Sequence, residues 1–235
     1  MNPALRRTVL CLCLWALPAS GALPGTVLLR QDFQRLYRPA SLGLMVTAMA
    51  GAALAHPWDD QVKGPLVDEA VLKRLLDLGN IYGASLNALG AATGIWIVAR
   101  ATNHPLLQAT ASDLVRSLLL ASSMVVPLKQ VTGRWRPDHR DRRSFPSGHS
   151  ANAFAMSTAL ARRYGMRAGV PLYALAGLAP LARIHYRHHY LSDVVAGGVL
   201  GLAAGWAVTE QGARVAWLPA GPAGGWGIEL RIASK

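Results

Sequence analysis

The segment RIHYRHHYLSDVVAGGVLGLAAGW, residues 183–206, joins a basic, histidine-rich start to a long apolar run. The apolar part is rich in Leu and Ala and lacks alternating polarity, so it predicts a helix over residues 190–210. His189 and Asp193 are four residues apart, which places them on one face if the segment is helical. There the carboxylate can accept a hydrogen bond from one imidazole nitrogen and leave the other nitrogen free. This pairing suits a histidine nucleophile that must stay oriented and basic.

Apolar stretches of the same kind extend over most of the chain and also predict helices. They cover residues 40–56, 67–79, 81–100, 106–129, 148–163 and 169–186. Prolines lie at or close to the ends of several stretches, as expected of residues that interrupt helices. The predicted fold is therefore all-α, a single up-and-down bundle of about six or seven helices with the active site at one end.

Two further short motifs precede this segment: KQVTGRWRP at residues 129–137 and PSGH at residues 146–149. With the third motif they supply three cations, Lys129, Arg136 and Arg183. A phosphomonoester carries close to two negative charges, so a site without a metal must neutralise it with Lys and Arg donors. The three motifs together therefore predict a metal-free site for phosphoryl transfer.

The PSGH motif adds a second imidazole to this inventory. Ser147 and Gly148 form a small-residue turn, in which backbone N–H groups at a helix start can approach an anion closely. His149 follows directly and is a candidate for the acid that protonates the leaving group.

These motifs, in this order, resemble the type 2 phosphatidic acid phosphatase superfamily, which includes bacterial class A acid phosphatases, lipid phosphate phosphatases and vanadium haloperoxidases. The family pattern is Lys, six residues, then Arg-Pro; Pro-Ser-Gly-His; and Ser-Arg, five residues, His, three residues, Asp. One motif position departs from it, because Ala182 stands where the family usually has Ser before the arginine. This change removes a hydroxyl group but no charge and no proton carrier.

The resemblance implies a hydrolase that cleaves phosphomonoesters or pyrophosphates, including lipid-linked ones. It implies that His189 is the nucleophile and forms a phosphohistidine, that Asp193 orients it, and that His149 is the general acid. The implied phosphate-binding residues are Lys129, Arg136, Ser147, Gly148 and Arg183. No cofactor or metal is implied.

Three alternatives were weighed against this interpretation. His185 and His189 have a spacing that metal ligands use, but no Cys or Glu lies nearby to complete a zinc site. A vanadium-dependent haloperoxidase would use the same anion pocket, although the short chain gives it little support. A non-catalytic anion-binding or transport protein of the envelope needs neither a nucleophile nor a leaving-group acid, and the sequence keeps candidates for both.

Composition sets the cellular context. The chain has 235 residues, of which 52% are hydrophobic and 15% charged, with a formal net charge of +12. This excess suits an anionic lipid or a small anionic substrate. Nucleic acid is not expected as a partner, because the positive charges cluster around residues 129–143 and 162–187 instead of interleaving with aromatic residues.

Residues 1–22 resemble a secretory signal peptide. Arg6 and Arg7 precede a short apolar core, and a small-residue stretch, PASGA, follows at residues 18–22. The alternative is a membrane anchor that is not cleaved.

Residues 23–215 form the predicted helical phosphatase domain, and residues 216–235 a C-terminal tail that is loose or contains a short strand. Arg162, Arg163 and Arg167 lie at the end of the bundle opposite the motifs. Because basic loops favour the cytoplasm, we expect an envelope protein, membrane-embedded or membrane-associated, whose site faces the periplasm.

Overall fold

The computed structural model describes residues 24–62, 64–66 and 70–209, together with two strands near the C-terminus. The described residues form eight α-helices: α1 Pro24–Leu36, α2 Pro39–Ala55, α3 Ala70–Gly83, α4 Ser85–Ala101, α5 Pro105–Thr132, α6 Gly148–Tyr164, α7 Met166–His185 and α8 Leu191–Thr209. A short 3-10 helix, His56–Trp58, follows α2. The predicted all-α fold is therefore confirmed.

Two features differ from the sequence-based expectation. Helix α1 was not predicted, because charged residues such as Asp32 and Arg35 interrupt its apolar pattern. Strands β1 (Arg214–Ala220) and β2 (Gly225–Arg231) pair antiparallel, where a loose tail or one short strand was expected. The predicted signal peptide, residues 1–22, lies outside the described residues.

The boundary between α3 and α4 also lies later than expected, at the extended residue Ala84, and the two helices bend by 63° there. Gly83 explains this position, because a Cβ atom on it would lie 2.6 Å from the backbone oxygen of His149. The end of α3 thus packs directly against the start of α6.

Helices α6 and α8 are in close backbone contact along one line of glycines. A Cβ atom on Gly197, Gly201 or Gly205 would lie only 2.3, 2.2 or 2.6 Å from a carbonyl oxygen of α6. Four-residue spacing keeps these glycines on one face of α8, so the helices pack without intervening side chains. This contact fixes the start of α8 next to the start of α6.

A group of buried charges joins α1, α5 and α6 at the far end of the bundle. We call Asp32, Arg35, Asp113, Arg116 and Arg163 the distal ion-pair cluster. Arg116 donates two hydrogen bonds of 2.7 Å to the Asp32 carboxylate, and Arg163 pairs with Asp113. Asp32 is fully buried. The cluster lies about 20 Å along α5 from Lys129, so α1 is held at the end opposite the motifs.

Among the described residues, three helical segments are long and apolar enough to cross a membrane: Pro39–Trp58, Pro105–Thr132 and Leu191–Thr209. Helices α3 and α4 pass the same test together as one bent span. Large apolar side chains are exposed on α2 and α4, including Val46, Leu54 and Ile97. Such surfaces suit contact with lipid.

Candidate active site

The three motifs meet where α5 ends and where α6 and α8 begin. Helix α5 ends at Gly133, whose φ of 50° lies in the left-handed region and turns the chain towards α6. The Ser147 backbone N–H donates to the Asp193 carbonyl oxygen at 2.9 Å, which joins the second motif to the third. The Ser147 hydroxyl accepts a hydrogen bond from the Ser150 N–H and so caps α6.

His189 and Asp193 form a buried pair. His189 Nδ1 lies 3.5 Å from Asp193 Oδ2, and the two side chains are 2% and 0% exposed. The pair does not share a helix face, because α8 begins at Leu191 and His189 lies in the preceding loop. A cap brings them together instead: the Tyr190 N–H donates to Asp193 Oδ2 at 2.9 Å.

Two further donors hold the Asp193 carboxylate. Ser144 Oγ donates to Asp193 Oδ2 at 2.5 Å, and Arg134 Nη1 donates to Asp193 Oδ1 at 2.8 Å. Sequence reasoning missed both residues. Arg134 lies inside the first motif, but nothing in the sequence distinguishes it from the other arginines of residues 129–143.

The three predicted cations are each held by an oxygen acceptor. Lys129 Nζ donates to the Arg143 carbonyl at 2.6 Å, Arg136 Nη1 to the His188 carbonyl at 3.0 Å, and Arg183 Nη1 to Asn80 Oδ1 at 2.8 Å. Arg136 Nη1 also lies 3.4 Å from His189 Nε2. The guanidinium groups are thereby oriented before any substrate binds.

Some buried polar atoms at this end of the bundle have no hydrogen-bond partner. Among the described side chains these are Asp138 Oδ2, Arg183 Nε, His188 Nδ1 and His189 Nδ1. His189 Nδ1 faces Asp193 at 3.5 Å, but Arg183 Nε has no such neighbour. Buried polar groups in folded proteins are nearly always paired, so this guanidinium nitrogen indicates a place for an anionic ligand.

Both predicted catalytic imidazoles are neutral at neutral pH. Burial lowers the pKa of His189 to about 4, although Asp193 acts in the opposite direction. Burial, then the positive charge of Arg183, lower the pKa of His149 to about 3. A neutral His189 has the lone pair that a nucleophile requires.

The histidines next to the site do not assemble into a metal centre. His185 Nδ1 accepts a hydrogen bond from the Leu66 N–H at 3.0 Å, which turns this ring away from His189. Within the part of the chain that the structure describes, no group of three or more His, Cys, Asp or Glu side chains has a metal-binding arrangement.

Comparisons with known proteins agree with the motifs. Residues 110–217 match the model of the PAP2 superfamily. The lipid A 1-phosphatase of Porphyromonas gingivalis is 37% identical over 91 residues, which are 37% of this chain and 20% of that protein. The chain thus spans about a fifth of the length of this curated relative. The resemblance that the motifs predicted is confirmed for this part of the sequence.

One solved structure supports the fold, and a second aligns more weakly. The crystal structure of Aquifex aeolicus LpxE aligns with a TM-score of 0.54 at 20% identity, covering 67% of this chain and 95% of that one. The crystal structure of a transmembrane PAP2 type phosphatidylglycerolphosphate phosphatase from Bacillus subtilis aligns with a TM-score of 0.49 at 20% identity. The alignment covers 79% of this chain and 94% of that one. With the apolar helices, the family match supports a membrane location.

Proposed function

We propose that this chain, whose residues 110–217 match the PAP2 superfamily, is a metal-independent phosphatase acting on lipid-linked phosphomonoesters or pyrophosphates. The observation that carries the proposal is the meeting of three oriented cations with His149 and the buried His189–Asp193 pair. Phosphoryl transfer depends mainly on positioning and charge stabilisation, and this arrangement supplies both without a metal.

In the proposed reaction His189 Nε2 is the nucleophile, because Nδ1 faces Asp193 and Nε2 faces Arg136. Nε2 attacks the phosphorus, the bond between phosphorus and the leaving-group oxygen breaks, and that oxygen takes a proton from His149. Water then attacks the phosphohistidine and gives a proton to His149 as the P–N bond breaks. Inorganic phosphate leaves, and both histidines return to their starting state.

Substrate binding favours the protonated form of His149 that this mechanism needs, with the proton taken from solvent. In the free site the pKa of His149 is low because of burial and then because of the positive charge of Arg183. A bound phosphate dianion brings two negative charges to the same place, which raises this pKa and favours the protonated acid.

Two observations support a lipid substrate. The name of the relative, lipid A 1-phosphatase, describes a phosphatase that acts on a lipid. In addition, several helices of this chain are apolar enough to lie in a membrane. A phosphate on a lipid headgroup would reach the site from the membrane surface at the end of the bundle.

The test uses detergent-solubilised protein and measures phosphate release. The panel contains phosphatidic acid, a polyprenyl pyrophosphate, lipid A and a soluble aryl phosphate, each with and without a chelator. We expect a lipid to be the best substrate, with turnover that resists the chelator and is inhibited by vanadate. His189→Ala should abolish turnover, whereas His104→Ala, in the turn before α5, should not.

Normal turnover by His189→Ala would rule out the mechanism. Preference for the aryl phosphate would rule out the lipid substrate. Halide oxidation that appears only after vanadate is added would favour the haloperoxidase alternative.

We also propose that the site faces the periplasm. Arg162, Arg163 and Arg167 belong to the opposite end, and basic residues beside membrane spans favour the cytoplasm, although Arg140, Arg142 and Arg143 at the site end reduce the contrast. Three spans, α2, the bent pair α3–α4, and α5, separate α1 from the site. Helix α1 would then lie on the cytoplasmic side.

Single cysteines test this orientation in a background with Cys11 and Cys13 replaced by Ser. Arg140→Cys, near the site, should react with a membrane-impermeant maleimide in cells whose outer membrane is permeable to the reagent. Arg100→Cys, at the end of α4, should react only after the inner membrane is lysed. The reverse pattern contradicts the proposed orientation.

A further inference from the structure

Behind Asp193, away from His189, the Arg134 guanidinium bridges two carboxylates. Its Nη1 donates to Asp193 Oδ1 at 2.8 Å, and its Nη2 donates to Asp59 Oδ2 at 2.7 Å. Asp59 follows the 3-10 helix after α2 and lies outside all three motifs. The Asp59 carboxylate, from a distant part of the chain, therefore orients the Arg134 guanidinium, which in turn orients Asp193.

Asp59 also holds the residue next to Asp193. The Ser192 backbone N–H donates to Asp59 Oδ1 at 2.8 Å, and the Ser192 hydroxyl donates to Asp59 Oδ2 at 2.6 Å. Arg134 Nη1 donates in turn to Ser192 Oγ at 2.7 Å. The Asp59 carboxylate thus fixes the first turn of α8 at two points.

The Asp59 carboxylate of this arrangement is buried, whereas the Arg134 side chain is 24% exposed. Asp59 is 3% exposed, and the Arg134 guanidinium lies over the Tyr190 ring, 4.2 Å from its centre. Burial acts to raise the pKa of Asp59, but the hydrogen bonds from Arg134 and Ser192 outweigh it and hold the pKa below its ordinary value. Charge-assisted hydrogen bonds in such surroundings are stronger than those in water.

We propose that Asp59 and Arg134 are positioning residues for the nucleophile, acting through Asp193 to orient His189. This inference rests on the proposed phosphatase function. The Nη atoms of Arg134 donate to Ser192, Asp193 and Asp59, so this guanidinium is engaged in positioning α8 and Asp193, whereas Lys129, Arg136 and Arg183 are assigned to the anion.

Replacement of Asp59 by Asn separates positioning of the nucleophile from binding of the anion. The carboxamide keeps one acceptor oxygen but places an NH₂ group against Arg134 or against the Ser192 hydroxyl, which both donate. Arg134 then pairs with Asp193 alone, and the first turn of α8 loses one of its two attachments. We expect the position of His189 to loosen and the catalytic step to slow, while phosphate binding is kept.

The experiment measures kcat, the inhibition constant of vanadate and the Tm for Asp59→Asn and Arg134→Gln. We expect kcat to fall about 10- to 100-fold, the range for losing one hydrogen bond to a charged group. The vanadate constant should stay within about 2-fold of wild type, because the cations that bind the anion are untouched. Arg183→Gln is the contrasting variant, since it should weaken vanadate binding directly.

Asp32→Asn is the matched control for a merely structural effect. Asp32 is also a buried carboxylate that accepts hydrogen bonds from arginine, but it belongs to the distal ion-pair cluster. It should lower the Tm and leave kcat of the folded enzyme unchanged.

The pH profile of kcat/KM gives a second readout that a structural role would not move. The charged or titratable groups facing His189 are Asp193, Lys129, Arg136 and His149. Arg134→Gln removes a cation near Asp193 and should move the acid limb to higher pH, whereas Asp59→Asn removes an anion and should move it lower.

Wild-type kcat and an unchanged pH profile in Asp59→Asn would overturn the inference. The inference would also be overturned if Asp32→Asn lost as much kcat as Asp59→Asn and the two variants had similar Tm values. The proposed function fails separately, through an inactive wild type or an active His189→Ala.

Discussion

The close contact between α6 and the glycines of α8 predicts that replacing glycine by alanine at position 197 and at position 205 has different effects on activity. Gly197→Ala places a methyl group 2.3 Å from the Ser147 carbonyl oxygen, and Gly205→Ala places one 2.6 Å from the Ala155 carbonyl oxygen. Carbon and oxygen approach to roughly 3.3 Å, so each variant needs a separation of about 1 Å. A backbone carbonyl cannot rotate away as a side chain does.

The expected loss of stability follows from two opposing contributions. Overpacking against backbone costs about 3 kcal/mol, and replacing a helical glycine by alanine returns about 1 kcal/mol. Each variant should therefore lose about 2 kcal/mol, which corresponds to a fall in Tm of roughly 4–8 °C. Gly177→Ala on α7 is the matched control, because its methyl group meets no atom within 4 Å. Its Tm should equal or exceed that of wild type.

The activities should differ because the two glycines lie at different distances from the site. Gly197 is one turn beyond Asp193 and contacts the residue whose N–H donates to the Asp193 carbonyl. Gly205 lies about 18 Å from Asp193 along α8. At a temperature where both variants are folded, Gly197→Ala should lose at least about 10-fold in kcat, since small misplacements of catalytic groups are costly. Gly205→Ala should keep wild-type kcat.

The measurements are thermal unfolding in detergent and phosphate release under saturating substrate. An unchanged Tm in Gly205→Ala would show that the helices are not in backbone contact. Equal losses of kcat in the two variants would show that this contact does not position the site.

Three other predictions follow from the same geometry. Arg183→Gln should raise the inhibition constant of vanadate at least about 10-fold, because it removes a cation whose buried Nε has no hydrogen-bond partner in the protein. The exposed residue Arg187 is the control, and Arg187→Gln should leave the constant unchanged. An unchanged constant in Arg183→Gln would place Arg183 outside the site. Stability should fall as pH drops from about 6.5 towards 4, because the buried His189 and His188 have pKa values of about 4 when folded and bind protons more readily when unfolded. His189→Gln should make the Tm less dependent on pH between about 6.5 and 4. If the Tm of this variant depended on pH as the wild-type Tm does, His189 would not be a source of the pH dependence. A chelator should leave phosphate release unchanged, and loss of activity that zinc restores would point to a metal.

The sequence predicted the elements that have strong local signals. The long apolar stretches gave helices close to their observed bounds, because a Leu- and Ala-rich run has few alternatives to a buried or lipid-facing helix. The three motifs identified the cations and histidines that the structure brings to one end. Their residue types carry the chemistry, so they are visible without coordinates.

The residues that hold the site together could not be predicted in this way. Ser144 and Asp59 reach Asp193 or Arg134 only through the packing of distant segments, and neither has a distinguishing spacing in the sequence. The contact between His189 and Asp193 was expected, but its geometry was not, because a cap at the start of α8 replaces the helical turn. Helix α1 escaped prediction for a similar reason, since its charges find their partners on other helices.

The distal ion-pair cluster has a consequence for how the polypeptide assembles. Asp32 is synthesised long before Arg116, yet in the finished protein the two share a pair of 2.7 Å hydrogen bonds inside the bundle. A carboxylate buried in the protein without its guanidinium partner is costly, so we expect α1 to pack against its neighbours only after α5 has emerged. Closure of the N-terminal helix is thus a late event in biogenesis, and it reports that the central helices are in place.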